Sequence, residues 1–281
     1  MPLTFQGITA WVADSEGREL PGYSMKASGN NQIECWIPST EGTNFKIMWM
    51  VPSFNPQSLA ELAVLPFLDG VRMGGTIWST NSILLGFPGE LRGHPTGPSS
   101  VRLYEFGKRV LADRDDAIML SDAQLNHLNT IVATFVWGFR GVPQPPYYMN
   151  PGESAPINEK STKSGHSGSA VLGKTVARPP KPAYNFHSIP GLNSTTFVFR
   201  YAPREWLQVR HIIPYTPRPF PQPPVGPKRE RSFNSNVTDI DDPHTNDEDT
   251  KYPITATPAA NKKQRTIKSE GVRVKAEPSD E

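Results

Sequence analysis

The strongest constraint on the fold is an alternating segment from Thr130 to Arg140. Its odd-numbered positions, from Ile131 to Phe139, are all apolar, whereas the positions between them include Thr134 and Arg140. Successive side chains of a β-strand point to opposite faces, so this period of two predicts a strand with one face buried. Such a strand needs neighbouring strands beside it and a second layer over its apolar face.

Other segments repeat this pattern, and turn-forming residues separate them. The further strand candidates are Phe45 with Ile47 and Trp49, Phe197 with Phe199 and Tyr201, Ile8 to Val12, and Ile33 to Ile37. Breakers such as Pro21-Gly22 and Asp69-Gly70 occur at intervals suited to antiparallel turns. The 30 prolines and 22 glycines leave little room for long helices. We therefore predict an all-β or mainly β body built as an antiparallel sandwich.

Two short helices and one long loop are predicted within the body. Ser121 is a helix-capping residue type and predicts a helix from there to Leu128. A second predicted helix runs from Arg204 to Ile212, directly after a proline. The proline-rich stretch from Gly141 to Gly165 predicts a loop that crosses the surface.

The last part of the chain, Thr216 to Glu281, differs in composition from the rest. It contains ten prolines, an acidic segment from Asp239 to Asp249, and no Leu, Met, Trp or Cys. This segment offers too little apolar surface to offset the entropy of chain ordering, which predicts disorder. We therefore divide the chain into a body, residues 1–215, and a tail, residues 216–281.

Charge and cysteine usage exclude several classes of protein. The body carries 18 Lys and Arg against 16 Asp and Glu, a balance that argues against non-specific nucleic-acid binding. The single cysteine, Cys35, excludes an intramolecular disulfide, and the N-terminus lacks the features of a signal peptide. No run of 18 apolar residues is present to span a membrane. We expect an intracellular protein that is not secreted and does not use a membrane.

A set of sequence blocks in the body matches a known family. The blocks are Ile8 to Val12, Glu19 to Tyr23, Cys35 to Ser39, Glu41-Gly42, Phe45 to Trp49, Leu68 to Gly70, Gly74-Gly75, Glu159 to His166, Leu172-Gly173, Thr196 to Tyr201, Leu207 and Ile212 to Pro214. Through these blocks the body resembles an uncharacterised fungal family known only as a domain of unknown function (number 7918). The blocks span almost the whole body, while residues 89–129 match less well. The resemblance implies no activity, ligand or catalytic residue.

One stretch matches the phosphate-loop pattern only in its residue types and their spacing. In such a loop, backbone N–H groups bind phosphates between a strand and a helix, and Gly168 to Thr175 has the required spacing. The segment before it is polar, and Pro179 and Pro180 prevent a helix after it. We interpret it as a strand, Ser169 to Leu172, that ends in a turn at Gly173.

Local motifs predict no catalytic, cofactor or metal site. The six histidines form no pair at the spacing that presents two metal ligands together, and no Gly-X-Ser-X-Gly elbow is present. Asp113, Asp115 and Asp116 lack the glycine and glutamate of a calcium loop, so we interpret them as solvated turn charge. Cys35 lies in an apolar strand, where burial should raise the pKa of its thiol and make it inert.

The six tryptophans permit a stacking site for sugars or bases. Core packing accounts for the four on predicted strand faces, which are Trp11, Trp36, Trp49 and Trp137. The roles of Trp78 and Trp206 stay open. Either one close to an arginine on an open face would favour a carbohydrate or nucleic-acid site.

A short proline motif in the body predicts a protein contact. Pro145-Pro146-Tyr147-Tyr148 fits the Pro-Pro-X-Tyr ligand of WW domains, in which Pro145, Pro146 and Tyr148 would contact the partner. Prolines preset an extended helix that binds with a small loss of entropy. A WW-domain protein is therefore one candidate partner.

The tail carries two near-identical acceptor motifs for the small ubiquitin-like modifier (SUMO). Ile267-Lys268-Ser269-Glu270 and Val274-Lys275-Ala276-Glu277 each place an aliphatic residue before a lysine and a glutamate two positions after it. A disordered segment can extend into the conjugating enzyme, as this reaction requires. We predict conjugation at Lys268 and Lys275, with the SUMO-conjugating enzyme as a partner.

A basic cluster lies just before these motifs. Lys262, Lys263 and Arg265 are typical of a signal read by nuclear import receptors, which predicts residence in the nucleus or in both nucleus and cytoplasm. Thr257 and Ser279 are candidate phosphorylation sites, where added charge would alter these contacts.

Together these features favour a non-enzymatic nuclear protein-interaction module with a regulated tail. Two alternatives stay open. One is an enzyme whose active site is assembled from distant parts of the chain. The other is a β-sandwich that binds carbohydrate or nucleic acid through exposed aromatic residues.

Overall fold

The computed structural model describes residues 2–29, 31–52, 60–112, 121–148, 151, 157–158 and 166–215. These residues form two β-sheets, one additional pair of short strands and three short helices. The mainly β fold predicted from the alternating segments is therefore confirmed. The small pair joins β12 (Leu111–Ala112) to β14 (Ile157–Asn158) in parallel.

The first sheet is antiparallel throughout. Its strands are β1 (Leu3–Phe5), β2 (Ile8–Asp14), β5 (Thr43–Met50), β9 (Gly89–Leu91), β10 (Gly93–Gly97), β11 (Ser100–Lys108) and β15 (Gly168–Ala177). They follow the order β1-β2-β5-β11-β10; in addition, β9 pairs with β5 and β15 pairs with β11. Every one of these pairings is antiparallel.

The second sheet is built around one long strand. Its strands are β3 (Tyr23–Ser28), β4 (Gln32–Ser39), β6 (Glu61–Leu68), β7 (Val71–Arg72), β8 (Thr76–Trp78), β13 (Thr130–Gln144), β16 (Ala183–Ser188) and β17 (Thr195–Pro203). They follow the order β3-β4-β17-β13-β6-β7; β16 also pairs with β13, and β8 with β6. The pairing of β17 with β4 is parallel, so this sheet is mixed, although most of its pairings are antiparallel as predicted.

The core lies between the two sheets. Trp49 of β5 meets Trp78 and Phe135 of the second sheet edge to face, with ring centroids 6.1 and 6.0 Å apart, and Phe106 of β11 approaches Tyr201 of β17 at 5.3 Å. Full burial of each such side chain contributes about 1.5–3 kcal/mol. These contacts join the sheets into a sandwich.

The alternation in β13 predicts its buried face correctly up to Trp137. Ile131, Ala133 and Phe135 are fully buried, but Phe139 is 51% exposed. The neighbouring strand β6 begins at Glu61, opposite Gly138, so Phe139 lies beyond the end of that pairing. Apolar alternation therefore continues past the covered part of the strand.

The helices are short and cover little of the sandwich. They are α1 (Thr80–Leu84), α2 (Asp122–His127) and α3 (Arg204–Val209). The predicted helix at Ser121 is confirmed, and its first turn is closed by a capping box between Ser121 and Gln124. The second predicted helix ends three residues earlier than Ile212, and α1 was not predicted at all.

Two further expectations are corrected. Residues Gly141 to Gln144, predicted as the start of a surface loop, continue β13, and after a register shift Pro143 and Gln144 pair with β16. Gly173, predicted to turn, lies inside β15, and the irregularity there is absorbed by a register shift opposite Arg102 and Tyr104. In both cases a neighbouring strand supplies hydrogen bonds that override the local breaker residues.

Candidate functional site

A buried carboxylate, Asp69, occupies the turn between β6 and β7. Asp69 and Gly70 both have positive φ, +48° and +82°, and Leu68 pairs with Val71 across the turn. This is the backbone of the two-residue hairpin for which Asp-Gly is a strong sequence signal. Here the Asp side chain points inward instead of into solvent, so the turn also places a charge in the protein interior.

Both oxygens of Asp69 are saturated with hydrogen bonds. Oδ2 accepts from Arg109 Nη2 at 2.8 Å, Ser169 Oγ at 2.9 Å and the backbone N–H of Ala170 at 3.2 Å. Oδ1 accepts from Tyr201 OH at 2.7 Å and the backbone N–H of Thr130 at 3.1 Å. We call these residues, Asp69, Arg109, Thr130, Ser169, Ala170 and Tyr201, the Asp69 cluster.

The ionisation of the cluster follows from burial and pairing. Burial raises the pKa of the Asp69 carboxyl, while the Arg109 guanidinium and the hydrogen bonds from Tyr201, Ser169 and Ala170 act against that rise. Burial and the adjacent carboxyl raise the pKa of Tyr201 well above its usual value, so its hydroxyl stays a donor. Five donors around one carboxyl group fit a carboxylate whose charge Arg109 compensates.

The Asp69 cluster joins the two sheets. Ser169 belongs to β15 and Arg109 follows β11, both of the first sheet, whereas Thr130 and Tyr201 belong to β13 and β17 of the second. Arg109 and Tyr201 are buried, at 6% and 0% exposure. These buried groups are hydrogen-bonded to one another across the two sheets, so we interpret the cluster as a structural clamp.

His166 lies beside this clamp and next to a second aromatic group. Burial, followed by the nearby charge of Arg109, lowers the pKa of His166 to about 4. Its ring meets the Trp206 ring edge to face at 5.2 Å, and Trp206 in turn lies 5.4 Å from Trp36. At neutral pH this histidine is therefore an uncharged packing residue.

The two tryptophans whose role the sequence does not assign, Trp78 and Trp206, have different surroundings. Trp78 is buried against Trp49 and belongs to the core. Trp206 is half-buried on α3, and the Arg210 guanidinium lies 5.1 Å from the centre of its ring. The contacts with Trp36, His166 and Arg210 occupy much of this indole, but an arginine does lie close to it.

The end of α1 and the loop that follows it expose three large apolar side chains. Leu84, Leu85 and Phe87 are 54%, 67% and 58% exposed. We call residues Leu84 to Phe87 the apolar loop. Large apolar residues clustered on a surface are unusual, and they generally mark a contact site.

The backbone of the apolar loop is fixed by a helix-ending motif. The N–H of Phe87 donates to the carbonyl of Ser82 at 3.2 Å, and the N–H of Gly86 donates to the carbonyl of Ile83 at 3.0 Å. Gly86 has a φ of +65°, which the motif requires. An apolar contact from Phe87 back to the helix often accompanies this motif, but Ser82 is polar and Phe87 stays exposed.

Both ends of the apolar loop are anchored to the core. Ile83 packs against the main core cluster, and Gly89 lies so close to the Trp49 indole that a Cβ there would collide with the ring. The apolar side chains are thus held outward by an ordered backbone.

The other predicted site residues are placed as follows. Pro145 and Pro146 are exposed just after β13, and Tyr148 of the WW motif is half-buried. Cys35 is buried in β4, and burial raises the pKa of its thiol to about 12, as predicted for an inert cysteine. The phosphate-loop match forms strand β15, which is incompatible with a loop followed by a helix.

Several predictions concern residues outside the described part of the chain. These are Thr257, Lys262, Lys263, Arg265, Lys268, Lys275 and Ser279 of the tail, together with Asp113, Asp115 and Asp116. Among the described residues, no group of three His, Cys, Asp or Glu is placed to hold a metal ion. The described helices also include none with the length and apolar character to cross a membrane.

Comparison with known proteins decides the family. The model of the family described as Domain of unknown function (DUF7918) matches residues 12–216. The chain belongs to the DUF7918 family. No curated protein and no solved structure gave a match.

Three of the blocks that carry the family resemblance meet at one place in the DUF7918 domain. Leu68 to Gly70 supplies Asp69, Thr196 to Tyr201 supplies Tyr201, and the block from Glu159 supplies the adjacent His166. The sequence marked Asp69-Gly70 as a turn, but no local pattern reveals that five distant donors converge on it. The apolar loop did have a signal, the run Ile83-Leu84-Leu85-Gly86-Phe87-Pro88.

Proposed function

We propose that the DUF7918 domain is a non-enzymatic protein-interaction module and that the apolar loop is its main contact. The observation that carries this proposal is the outward presentation of Leu84, Leu85 and Phe87 by an ordered backbone. A cluster of exposed apolar and aromatic side chains marks a contact site for another protein. A contact that is already ordered loses little entropy on binding.

The tail adds regulation to this proposal. The motifs around Lys268 and Lys275 support conjugation of SUMO, and Lys262, Lys263 and Arg265 support nuclear import. Phosphorylation at Thr257 or Ser279 would add negative charge close to both signals. Pro145, Pro146 and Tyr148 offer a second contact, to a WW-domain protein, for which Tyr148 would have to become more exposed.

The contact is tested by proximity labelling in the host cell with three forms of the full chain. These are the natural sequence, a Leu85→Ser/Phe87→Ser variant, and a Val142→Ser/Val209→Ser variant that removes exposed apolar residues elsewhere. We expect the first and third forms to label the same proteins and the loop variant to lose a defined subset. Identical labelling by all three would overturn the role of the apolar loop.

The tail is tested by reconstituted SUMO conjugation. The full chain should give a gel shift that a Lys268→Arg/Lys275→Arg variant loses. Equal modification of both forms would move the acceptor site elsewhere, and modification of neither would remove this part of the proposal.

A second candidate function is binding of carbohydrate or nucleic acid at Trp206. The observation in its favour is the Arg210 guanidinium 5.1 Å from that ring. Titration of the tryptophan fluorescence with oligosaccharides and oligonucleotides, in parallel with a Trp206→Phe variant, tests it. Saturable quenching that is absent in the variant would favour this candidate over the protein contact.

A further inference from the structure

A groove of about 360 Å³ lies on the outer face of the first sheet. Alternation along β5 places Asn44 and Lys46 on the face opposite the buried Phe45 and Ile47. Arg92, between β9 and β10, and Lys174 of β15 line the same groove. Its residues come from separate strands, so the groove has no signal in the local sequence.

The charged groups of the groove have one sign. Among the described residues, Lys46, Arg92 and Lys174 line it and no acidic residue does. Arg92 and Lys174 are exposed, and neither forms an ion pair with a described residue. Lys46 Nζ lies 3.5 Å from Glu90 Oε2, a loose and partly exposed pair that contributes little. All three cations are therefore available to an anionic ligand.

Neighbouring groups fix the shape of the groove and place the carboxylate of Glu105 at its edge. Arg102 donates hydrogen bonds to the carbonyls of Leu172 and Gly173, which holds the chain immediately before Lys174. Glu105 accepts from Asn44 Nδ2 at 3.4 Å and lies against Gly173, outside the lining. The cations thus belong to an ordered part of the sheet.

The rest of the lining contains both apolar and polar groups. Leu103, Val176 and Ala177 are apolar, whereas Ser15 and Asn44 are polar. A nucleic acid would need a longer row of cations and aromatic faces for its bases, and the body has almost no excess of positive charge. An acidic peptide with an apolar side chain matches both the charge and the lining.

We propose that this groove binds an acidic, partly apolar peptide segment of a partner protein. The inference rests on the proposed function and supplies the chemistry of the partner. The apolar loop leads through β9 to Arg92, and the five residue-to-residue steps from Phe87 to Arg92 span at most about 18 Å. One partner can therefore contact the loop with an apolar surface and the groove with an acidic segment.

Fluorescence anisotropy with the full chain tests this inference. The probe is a fluorescein-labelled eight-residue peptide, Asp-Glu-Asp-Leu-Glu-Asp-Asp-Glu, titrated at low salt. Parallel titrations use a lysine-rich peptide and an oligo(dT) of equal length. The variants are Arg92→Glu/Lys174→Glu and, as a matched control, Lys181→Glu/Arg204→Glu, which reverses two exposed charges outside the groove.

We expect the acidic peptide to bind the natural chain and the control alike, and the groove variant at least about tenfold more weakly. Added salt should weaken binding to the natural chain, because the contacts are ionic. Equal binding by both variants, or no binding to the natural chain, would overturn the inference; tighter binding of oligo(dT) would show a nucleic-acid site instead. If the peptide fails while the Leu85→Ser/Phe87→Ser variant still loses its labelled proteins, the groove inference falls and the proposed function stands.

Discussion

The Asp69 cluster and the apolar loop invert the usual distribution of polarity. In the cluster a carboxylate is buried among five donors, whereas in the loop Leu84, Leu85 and Phe87 face solvent. The carboxylate is fully paired, so its cost of burial is offset within the fold. The apolar side chains of the loop stay 54–67% exposed and have no such compensation among the described residues. The difference teaches that a buried polar group can be purely structural, while an uncompensated exposed group points to function.

The largest effect should follow removal of the carboxylate. Asp69→Ala would leave Arg109 buried without its partner, and we expect a loss of about 3–5 kcal/mol in the free energy of unfolding. Asp69→Asn keeps the side-chain volume, and asparagine tolerates the positive φ at this position. This variant therefore separates the effect of the charge on stability from the effect of the side-chain shape. Urea denaturation measures both. Full stability of the Asn variant would show that the charge is not what the cluster needs.

A smaller loss should follow removal of one donor. Tyr201→Phe deletes the hydroxyl 2.7 Å from Asp69 Oδ1, and a hydrogen bond to a charged group contributes about 1.5–3 kcal/mol. Tyr104→Phe is the matched control, because the Tyr104 hydroxyl is buried without a partner among the described residues. That variant should retain or gain stability. Equal losses in the two variants would mean that packing, not hydrogen bonding, matters at Tyr201.

Acid should act on the cluster through its neighbour His166. The pKa of His166 is lowered to about 4 in the folded chain, against an ordinary value of 6.5. Between these values the unfolded chain binds the additional proton, so stability should fall as pH is lowered from about 6.5 to 4. Thermal unfolding of the natural chain and of a His166→Gln variant over this pH range isolates the contribution of His166 to the pH dependence of stability. Parallel pH profiles for the two proteins would contradict it.

The smallest effect on stability should come from the apolar loop. Leu85→Ser/Phe87→Ser should change the free energy of unfolding by less than about 0.5 kcal/mol, because both side chains are already exposed. Ile83→Ser, in the same turn but packed on the core, should destabilise clearly. Calorimetry of the two variants sharpens the comparison. A large loss in the first variant would assign the loop a structural role.

The sequence predicts those parts of the molecule that depend on local periodicity. Alternation located the buried faces of β5, β13 and β17, and the cap at Ser121 located α2. It did not predict the parallel pairing of β4 with β17, because the choice of a strand's neighbour depends on contacts more than 160 residues apart.

The candidate sites were predicted less well for the same reason. Asp69-Gly70 identified a turn, but the donors to Asp69 come from four other segments of the chain. The groove cations come from separate strands and leave no local pattern. Only the apolar loop was visible in the sequence, as a run of apolar residues, and even there the run does not reveal that Phe87 is exposed.

The separation of the Asp69 partners along the chain has a kinetic consequence. They lie 40 to 132 residues from the carboxylate, so the clamp can close only after segments of both sheets have met. Contacts of such long range form slowly, because loop-closure entropy is lost before they contribute. We expect the clamp to close after the folding transition state, since both sheets must already be in place, and such late interactions act mainly on the rate of unfolding. The clamp should therefore lower the rate of unfolding more than it raises the rate of folding. In that sense Asp69 acts as a latch that sets how long the assembled sandwich persists.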